Sequence, residues 1–244
     1  MGWLGKIIGG GVGFLIGGPI GAAIGATAGH YGYDGEQKLS REEELQIAYF
    51  YSLFSCLAKM AKADGVVSQS EINVMDNFIT NALGWDSDAR QFAIGVFRRA
   101  KNDDTPVEEY LSQFARISNY DLEIGRIFLG TLYEVAMADG TLHPEELKIL
   151  RSAESYLRLP AGTVDSLLGY SNKSISEYYS ILGCSPEMTD EEIKSAYRAQ
   201  CKKFHSDHLQ SKGLPEEFIQ FANSQLILVK EAYDAISQYR SSLK

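Results

Sequence analysis

The chain has 244 residues, enough for about two modest domains beside a terminal segment, and a formal net charge of −9. Such an acidic chain argues against nucleic-acid binding, which requires a positive surface to neutralise phosphates. Its three cysteines, Cys56, Cys184 and Cys201, lack the paired spacing of a disulfide framework or a zinc site. They fit a reducing compartment, where cysteine usually serves as a small buried apolar residue.

The first 35 residues hold 13 of the 23 glycines and include a long uncharged run. Between Lys6 and His30 lie 23 uncharged residues, which as a helix would measure about 35 Å against a hydrocarbon core of about 30 Å. This pattern predicts a transmembrane anchor over residues 1–33. Glycine at every fourth position forms a ridge along which two such helices approach closely. The ridge predicts a homodimer through the anchor, at Gly9, Gly13, Gly17, Gly21, Gly25 and Gly29.

Two alternatives for this segment stay open. Gly17-Gly18-Pro19 would kink the helix or fold it into a re-entrant hairpin. Ala26-Thr27-Ala28 is typical of a signal-peptide cleavage site, although the run lacks a compact leucine-rich core. The positive charges that flank the run, Lys6 against Lys38 and Arg41, nearly balance and do not decide the orientation.

The middle of the chain contains an internal repeat, in which residues 57–72 match residues 132–147 at a shift of 75. Each copy predicts a helix that ends at Ala-Asp-Gly, followed by a new helix. Ser68 with Glu71 forms a capping box, and Pro144 suits a first helical turn. Thr105 and Pro106 mark a further helix start between the copies. Because apolar residues recur at helical spacing without strand alternation, residues 34–168 are predicted to form an all-α bundle of about six or seven helices.

The repeated Ala-Asp-Gly turns resemble those of the tellurite-resistance TerB-like domain, and the resemblance covers roughly residues 42–168. Four acidic side chains in the repeats are weak candidate ligands for a divalent cation: Asp64, Glu71, Asp139 and Glu146. Helix capping accounts for the same four residues without a ligand, and the loops lack the spaced oxygen ligands of an EF-hand.

Residues 177–244, after a short polar linker at 169–176, are predicted to form two long amphipathic helices around a loop. Thr189 with Glu192 is a capping box that begins the first helix. Its apolar stripe consists of Ile193, Tyr197, Gln200, Cys201 and Phe204. The second helix offers the stripe Phe218, Ala222, Leu226, Val229, Tyr233 and Ile236. The two stripes predict antiparallel packing, with His205, Asp207 and His208 at the tip of the loop.

The other face of the first helix carries four basic residues, Lys194, Arg198, Lys202 and Lys203. Such a stripe is either a solvated helix face or a surface that docks electrostatically on an acidic partner. Taken alone, the stripe favours a solvated face, because runs of charge usually face water. Its place beside the His-x-Asp tripeptide and the segment Lys230 to Tyr233 reverses that preference in favour of docking.

Three motifs follow one another in this segment: Tyr178 to Gly183, the tripeptide His205-Ser206-Asp207, and Lys230-Glu231-Ala232-Tyr233. Their order resembles a J domain, the module by which DnaJ-type co-chaperones act on DnaK-type ATP-driven chaperones. The resemblance implies a set of chaperone-binding residues: Lys194, Arg198, Lys202, Lys203, His205, Ser206 and Asp207. The J-domain tripeptide is His-Pro-Asp, so Ser206 departs from the pattern and removes the restraint that proline places on the preceding residue.

Other chemistries have little support in the sequence. Three adjacent loop residues span poorly around a metal ion, and neighbouring residues in one loop do not normally form a Ser-His-Asp triad. No nucleotide-binding glycine fingerprint and no His-Glu-x-x-His occurs. The chain is therefore predicted to have no catalytic residues, to need no cofactor and not to be an enzyme.

Anchor, TerB-like bundle and J domain, in this order, resemble the DjlA family of membrane-anchored DnaJ-like co-chaperones over nearly the whole chain. The resemblance implies an inner-membrane regulator of a DnaK-type chaperone that dimerises through its anchor and keeps its C-terminal domains in the cytoplasm. The alternative is a non-stimulating J-like scaffold or stress-response adaptor that acts through the TerB-like domain.

Overall fold

The computed structural model describes residues 18–21, 40–62, 76, 79–80, 87–137, 140–168, 174–219 and 222–242. Within these ranges the chain is helical and contains no strand, as predicted. The bundle helices are α1 Arg41–Lys62, α2 Ser87–Asn102, α3 Val107–Ile117, α4 Leu122–Ala136, α5 Pro144–Tyr156 and α6 Thr163–Leu167. The C-terminal helices are α7 Ile175–Leu182, α8 Asp190–Lys203, α9 Ser206–Ser211, α10 Glu216–Ile219 and α11 Ala222–Ser242.

Helix α1 forms the centre of the bundle. Its apolar run from Ile47 to Ala58 is buried along its whole length, and α1 contacts α2, α3, α4 and α5. A helix that is apolar on all sides needs neighbours on all sides, so this run fixes the layout of the bundle. Tyr49 lies at the middle of the core, edge-on to Phe114 and Phe128. Its hydroxyl bonds to Thr131 Oγ1 at 3.0 Å, which satisfies a polar group that burial would otherwise penalise.

The predicted helix starts of the bundle are confirmed where the structure describes them. Helix α3 begins at Val107 directly after Pro106, and α5 begins at Pro144, where a missing N–H costs nothing. The Ala-Asp-Gly turns of both repeat copies fall wholly or partly outside the described residues.

One turn of the glycine-rich segment, residues 18–21, lies against the bundle. Ile20 is fully buried there, and its N–H donates to Gln113 Oε1 at 2.9 Å. No helix among the residues that the structure describes is both long and apolar enough to cross a bilayer. Most of the predicted anchor lies outside those residues, including every glycine of the ridge except Gly21.

The two long C-terminal helices, α8 and α11, pack antiparallel as the apolar stripes predict. The prediction is wrong for Phe218, which lies on the separate helix α10 and packs against the bundle. Asp190 at the start of α8 pairs with Arg240 near the end of α11 at 2.7 Å, and the Tyr197 and Tyr233 rings stack at 4.4 Å. Contacts that join opposite ends of two helices establish the antiparallel arrangement. Gln200, which occupies an otherwise apolar stripe, turns its amide to Leu182 O at 3.2 Å and so caps the end of α7.

The bundle and the C-terminal helices share one apolar core in the described part of the chain. Phe218 of α10 is fully buried, and its ring lies 4.8 Å from the Tyr49 ring at the centre of the bundle. Helices α10 and α11 both contact α4. The C-terminal helices are therefore held in one orientation by packing as well as by the chain connection.

Candidate functional site

The four basic residues of α8 form an outer face of the C-terminal helices. Lys194, Arg198, Lys202 and Lys203 are all exposed, while Ile193 and Phe204 of the same helix are buried. None of the four forms an ion pair with a carboxylate of a described residue. Their charge is therefore directed at solvent, and this surface is called the basic face below.

The tripeptide His205-Ser206-Asp207 lies at the end of the basic face and begins α9. His205 is the N-cap of α9, with φ −72° and ψ 140°, and Ser206 is the first helical residue. The side chains of His205 and Asp207 are 63% and 87% exposed. The structure thus presents both side chains to solvent directly beside four exposed cations.

Hydrogen bonding within the loop indicates which atoms face outward. The Asp207 N–H donates to His205 Nδ1 across a long 3.4 Å contact, which caps the first turn of α9. The loop therefore offers an exposed imidazole on His205 and an exposed carboxylate on Asp207.

His208 does not lie at the loop tip, so that part of the predicted arrangement is wrong. Its Nε2 donates to Glu123 Oε2 of α4 at 3.0 Å, because the first turn of α9 directs residue 208 back towards the bundle. Lys212 reaches the same place and bonds Asp121 Oδ2 at 2.6 Å and Glu123 Oε2 at 2.5 Å. These four side chains, His208, Lys212, Asp121 and Glu123, are called the junction cluster.

Sequence reasoning missed the junction cluster, because its partners are 85 and 91 residues apart along the chain. Asp121 is the N-cap of α4 and accepts from the N–H groups of Glu123 and Ile124 at 2.9 and 3.2 Å. An Asp-Leu-Glu helix start is a visible sequence signal for a negative helix end. Nothing local indicates which cation faces it.

The junction cluster shifts the pKa values of Asp121 and Lys212. Partial burial opposes the charged form of Asp121, but hydrogen bonds from Lys212 and from backbone N–H groups outweigh it and lower the pKa of the carboxyl. Partial burial likewise opposes the charge on Lys212, whereas hydrogen bonds to Asp121 and Glu123 raise the pKa of its ammonium. Both groups are held in their charged forms.

The end of α9 explains a short motif after the loop. Gly213 has φ +81°, its N–H bonds Gln210 O at 2.9 Å, and the Leu214 N–H bonds Leu209 O at 3.2 Å. This is a Schellman motif with its usual apolar contact, since Leu209 and Leu214 are both buried. The positive φ favours glycine at this position, and a Cβ there would also lie 3.0 Å from Glu42 Cγ of α1, so that Glu42 would have to shift.

The described residues of the candidate metal site in the repeats are not arranged around a common ligand position. Glu146 accepts from the His143 N–H at 2.9 Å and so closes the start of α5, while Asp64, Glu71 and Asp139 lie outside the described residues. No group of three or more metal-ligating side chains occurs among the residues that the structure describes. Burial raises the pKa of the Cys56 thiol, which is typical of an inert buried cysteine.

Comparison with protein families identifies three segments of the chain. Residues 1–38 match the family model of the co-chaperone DjlA transmembrane domain, residues 51–167 match tellurite resistance protein TerB, and residues 177–241 match the DnaJ domain. No solved structure matches the chain.

Curated relatives share this organisation. The co-chaperone protein DjlA of Photobacterium profundum is 30% identical, with 85% of this chain and 83% of the relative covered. The protein of the same name from Coxiella burnetii is 28% identical with 99% of both chains covered, and that of Escherichia coli K12 is 27% identical with 82% of this chain and 83% of the relative covered.

Proposed function

The chain belongs to the DjlA family of membrane-anchored J-domain co-chaperones, and we propose that its basic face and loop recruit a DnaK-type chaperone and stimulate its ATP hydrolysis. The observation that carries this proposal is the continuity of the two surfaces. The exposed cations of α8 lead directly to the exposed His205 and Asp207 at the start of α9. The ATPase chemistry belongs to the partner, and this chain supplies contacts rather than catalytic residues.

The two surfaces have different roles in the proposal. Four exposed positive charges attract an acidic surface over several ångströms, which raises the rate of encounter and orients the partner. His205 and Asp207 are then placed to form directional hydrogen bonds, His205 through its imidazole and Asp207 as an acceptor. Docking residues of the first kind set the affinity, and residues of the second kind set the maximal stimulation.

The test is a single-turnover ATPase assay of the DnaK-type chaperone at saturating co-chaperone. His205→Gln is expected to remove the stimulation with only a small change in the unfolding transition, since the side chain is exposed and its capping contact is long. His143→Gln is the matched control, because His143 is also exposed and also precedes a helix, but lies in the bundle. Equal rates for the natural protein and His205→Gln would overturn the stimulation and favour a scaffold that acts through the TerB-like bundle.

We propose further that residues 1–33 anchor the chain in the bacterial inner membrane as a homodimer, with residues 34–168, 169–176 and 177–244 as bundle, linker and J domain in the cytoplasm. This anchor requires residues 18–21 to leave the contact with the bundle in which the Ile20 N–H donates to Gln113. The cytoplasmic side follows from the partner, because an ATP-driven chaperone requires ATP. A chain shortened to begin at Leu39 is expected to leave the membrane fraction. Gly17→Leu with Gly21→Leu is expected to weaken self-association without releasing the protein. If the shortened chain stayed in the membrane fraction after a salt wash, the prediction of a single anchor would be contradicted.

A further inference from the structure

The loop keeps an ordered backbone although it lacks the proline of the J-domain pattern. His205 has φ −72° and ψ 140°, which is the extended conformation that a following proline would impose. Ser206 stands at the first position of α9, where proline is favoured because the N–H needs no helical partner. Serine fixes neither angle by itself. Inside the loop, the capping bond from the Asp207 N–H to His205 Nδ1 is long, so contacts outside the loop are needed to strengthen the restraint.

The junction cluster supplies such contacts from outside the C-terminal helices. Glu123 Oε2 accepts from both His208 Nε2 at 3.0 Å and Lys212 Nζ at 2.5 Å, and Asp121 Oδ2 accepts from Lys212 at 2.6 Å. Glu123 is only 18% exposed. Both carboxylates belong to the first residues of α4, whose position the Asp121 cap fixes. Helix α9 is thus held on a rigid part of the bundle.

The junction cluster is close enough to the loop to orient it. Helix α9 has six residues, so His208 lies one helical turn from His205. Leu209, the next residue, is fully buried, and the far end of α9 is closed by the Schellman motif at Gly213. A helix this short moves as one unit, and a shift at His208 becomes a shift of the His205 and Asp207 side chains.

We infer that Glu123 of the bundle is a positioning residue for the His205 and Asp207 loop, acting through His208 and Lys212. The bundle thereby provides from outside the restraint that a proline at position 206 provides from within. This inference rests on the proposed function, since it assigns a role in chaperone stimulation. It also gives the bundle a defined part in that activity.

The test combines two changes in the full-length protein held in lipid nanodiscs. Glu123→Gln keeps the size of the side chain but removes its charge, and Ser206→Pro introduces the internal restraint. Glu123→Gln is expected to lower the maximal stimulated ATPase rate about three- to fivefold, with the half-maximal concentration changed less than about twofold. The double variant Glu123→Gln with Ser206→Pro is expected to regain most of the lost rate. His208→Leu, which removes the partner instead, is expected to behave as Glu123→Gln does.

Two controls separate positioning from stability. Glu109→Gln removes an exposed glutamate from the first turn of another bundle helix, α3, and is expected to leave the rate unchanged. Thermal unfolding of each variant shows whether the protein is folded at the assay temperature. Rescue by Ser206→Pro is the decisive readout, because a proline in the loop does not replace a lost contact between α4 and α9.

The outcomes distinguish the inference from the function on which it rests. Full stimulation by Glu123→Gln, together with none by His205→Gln, would overturn the positioning role and leave the proposed function intact. A loss that Ser206→Pro does not restore would also overturn it, because Glu123 would then only hold the two parts together. Equal rates for the natural protein and His205→Gln would remove the proposed function, and the inference with it.

Discussion

The basic face and the junction cluster both contain cations of the C-terminal helices, but the cations are exposed in the first and paired with carboxylates in the second. On the basic face, Lys194 and Arg198 are exposed and form no ion pair with a carboxylate of a described residue. In the junction cluster, Lys212 is 23% exposed and contacts two carboxylates within 2.6 Å. The difference teaches that position in the fold, rather than residue type, decides whether a cation stays exposed or pairs with carboxylates of the bundle.

Apolar packing, rather than the ion pairs of the junction cluster, supplies most of the free energy that holds the C-terminal helices on the bundle. Ion pairs at the surface contribute about 0–1 kcal/mol each, whereas burial of a phenylalanine contributes about 1.5–3 kcal/mol. Phe218 is fully buried against Tyr49, so packing holds the C-terminal helices on the bundle. The junction cluster then selects one orientation of α9.

The largest effect is expected at Phe218. Phe218→Ala would leave a cavity next to Tyr49 and is expected to lower the free energy of unfolding by about 3–5 kcal/mol. Urea unfolding followed by circular dichroism measures the change. Ile227→Ala is the matched control, since Ile227 of α11 is 67% exposed and its truncation is expected to change stability by no more than about 0.5 kcal/mol. Similar losses for the two variants would show that α10 is not part of a shared core.

A smaller effect, confined to binding, is expected on the basic face. Lys194→Ala with Arg198→Ala is expected to weaken affinity for the DnaK-type chaperone about two- to thirtyfold, because two exposed charge contacts are lost. The affinity of the variant should also depend less on salt. Arg98→Ala with Arg99→Ala removes two exposed cations from α2 and serves as the control. Equal losses in both proteins would indicate a general effect of net charge.

The smallest effect concerns pH and the junction cluster. Since the folded-state pKa of Asp121 lies below its ordinary value of 3.8, its contribution to stability is present above that value and is lost as pH falls through the folded-state pKa. Lys212 has a raised pKa, so its contribution persists at neutral pH and is lost only above its ordinary value of 10.5.

Asp121→Asn tests this pH dependence, because asparagine retains the helix cap but not the charge. The variant is expected to be less stable than the natural protein at pH 7, by no more than about 1 kcal/mol, and to approach its stability below pH 4. Unfolding free energies at pH 7 and pH 3 measure the convergence. A stability difference that stays constant between the two pH values would contradict the role of the Asp121 charge.

Local signals in the sequence determined the helix starts and the outer face of the C-terminal helices. The capping box at Thr189 and Glu192 forms as predicted, with the Thr189 N–H bonded to Glu192 Oε2 at 2.7 Å. Pro144 begins α5, and the four-residue spacing of Lys194, Arg198 and Lys202 places them on one exposed face. Capping and helical spacing involve residues within one turn of each other, so the chain order alone fixes them.

Only the tertiary structure decided which distant residues meet. The sequence contained Glu123, His208 and Lys212 but no signal that pairs them, and it suggested that His208 belonged to the loop tip. Phe218 of α10 packs on Tyr49 of α1, and His208 of the neighbouring helix α9 contacts Glu123 at the start of α4. Apolar attraction is non-directional, and many pairings satisfy the same stripe of residues. The pairing is therefore settled by how all the helices fill one core together.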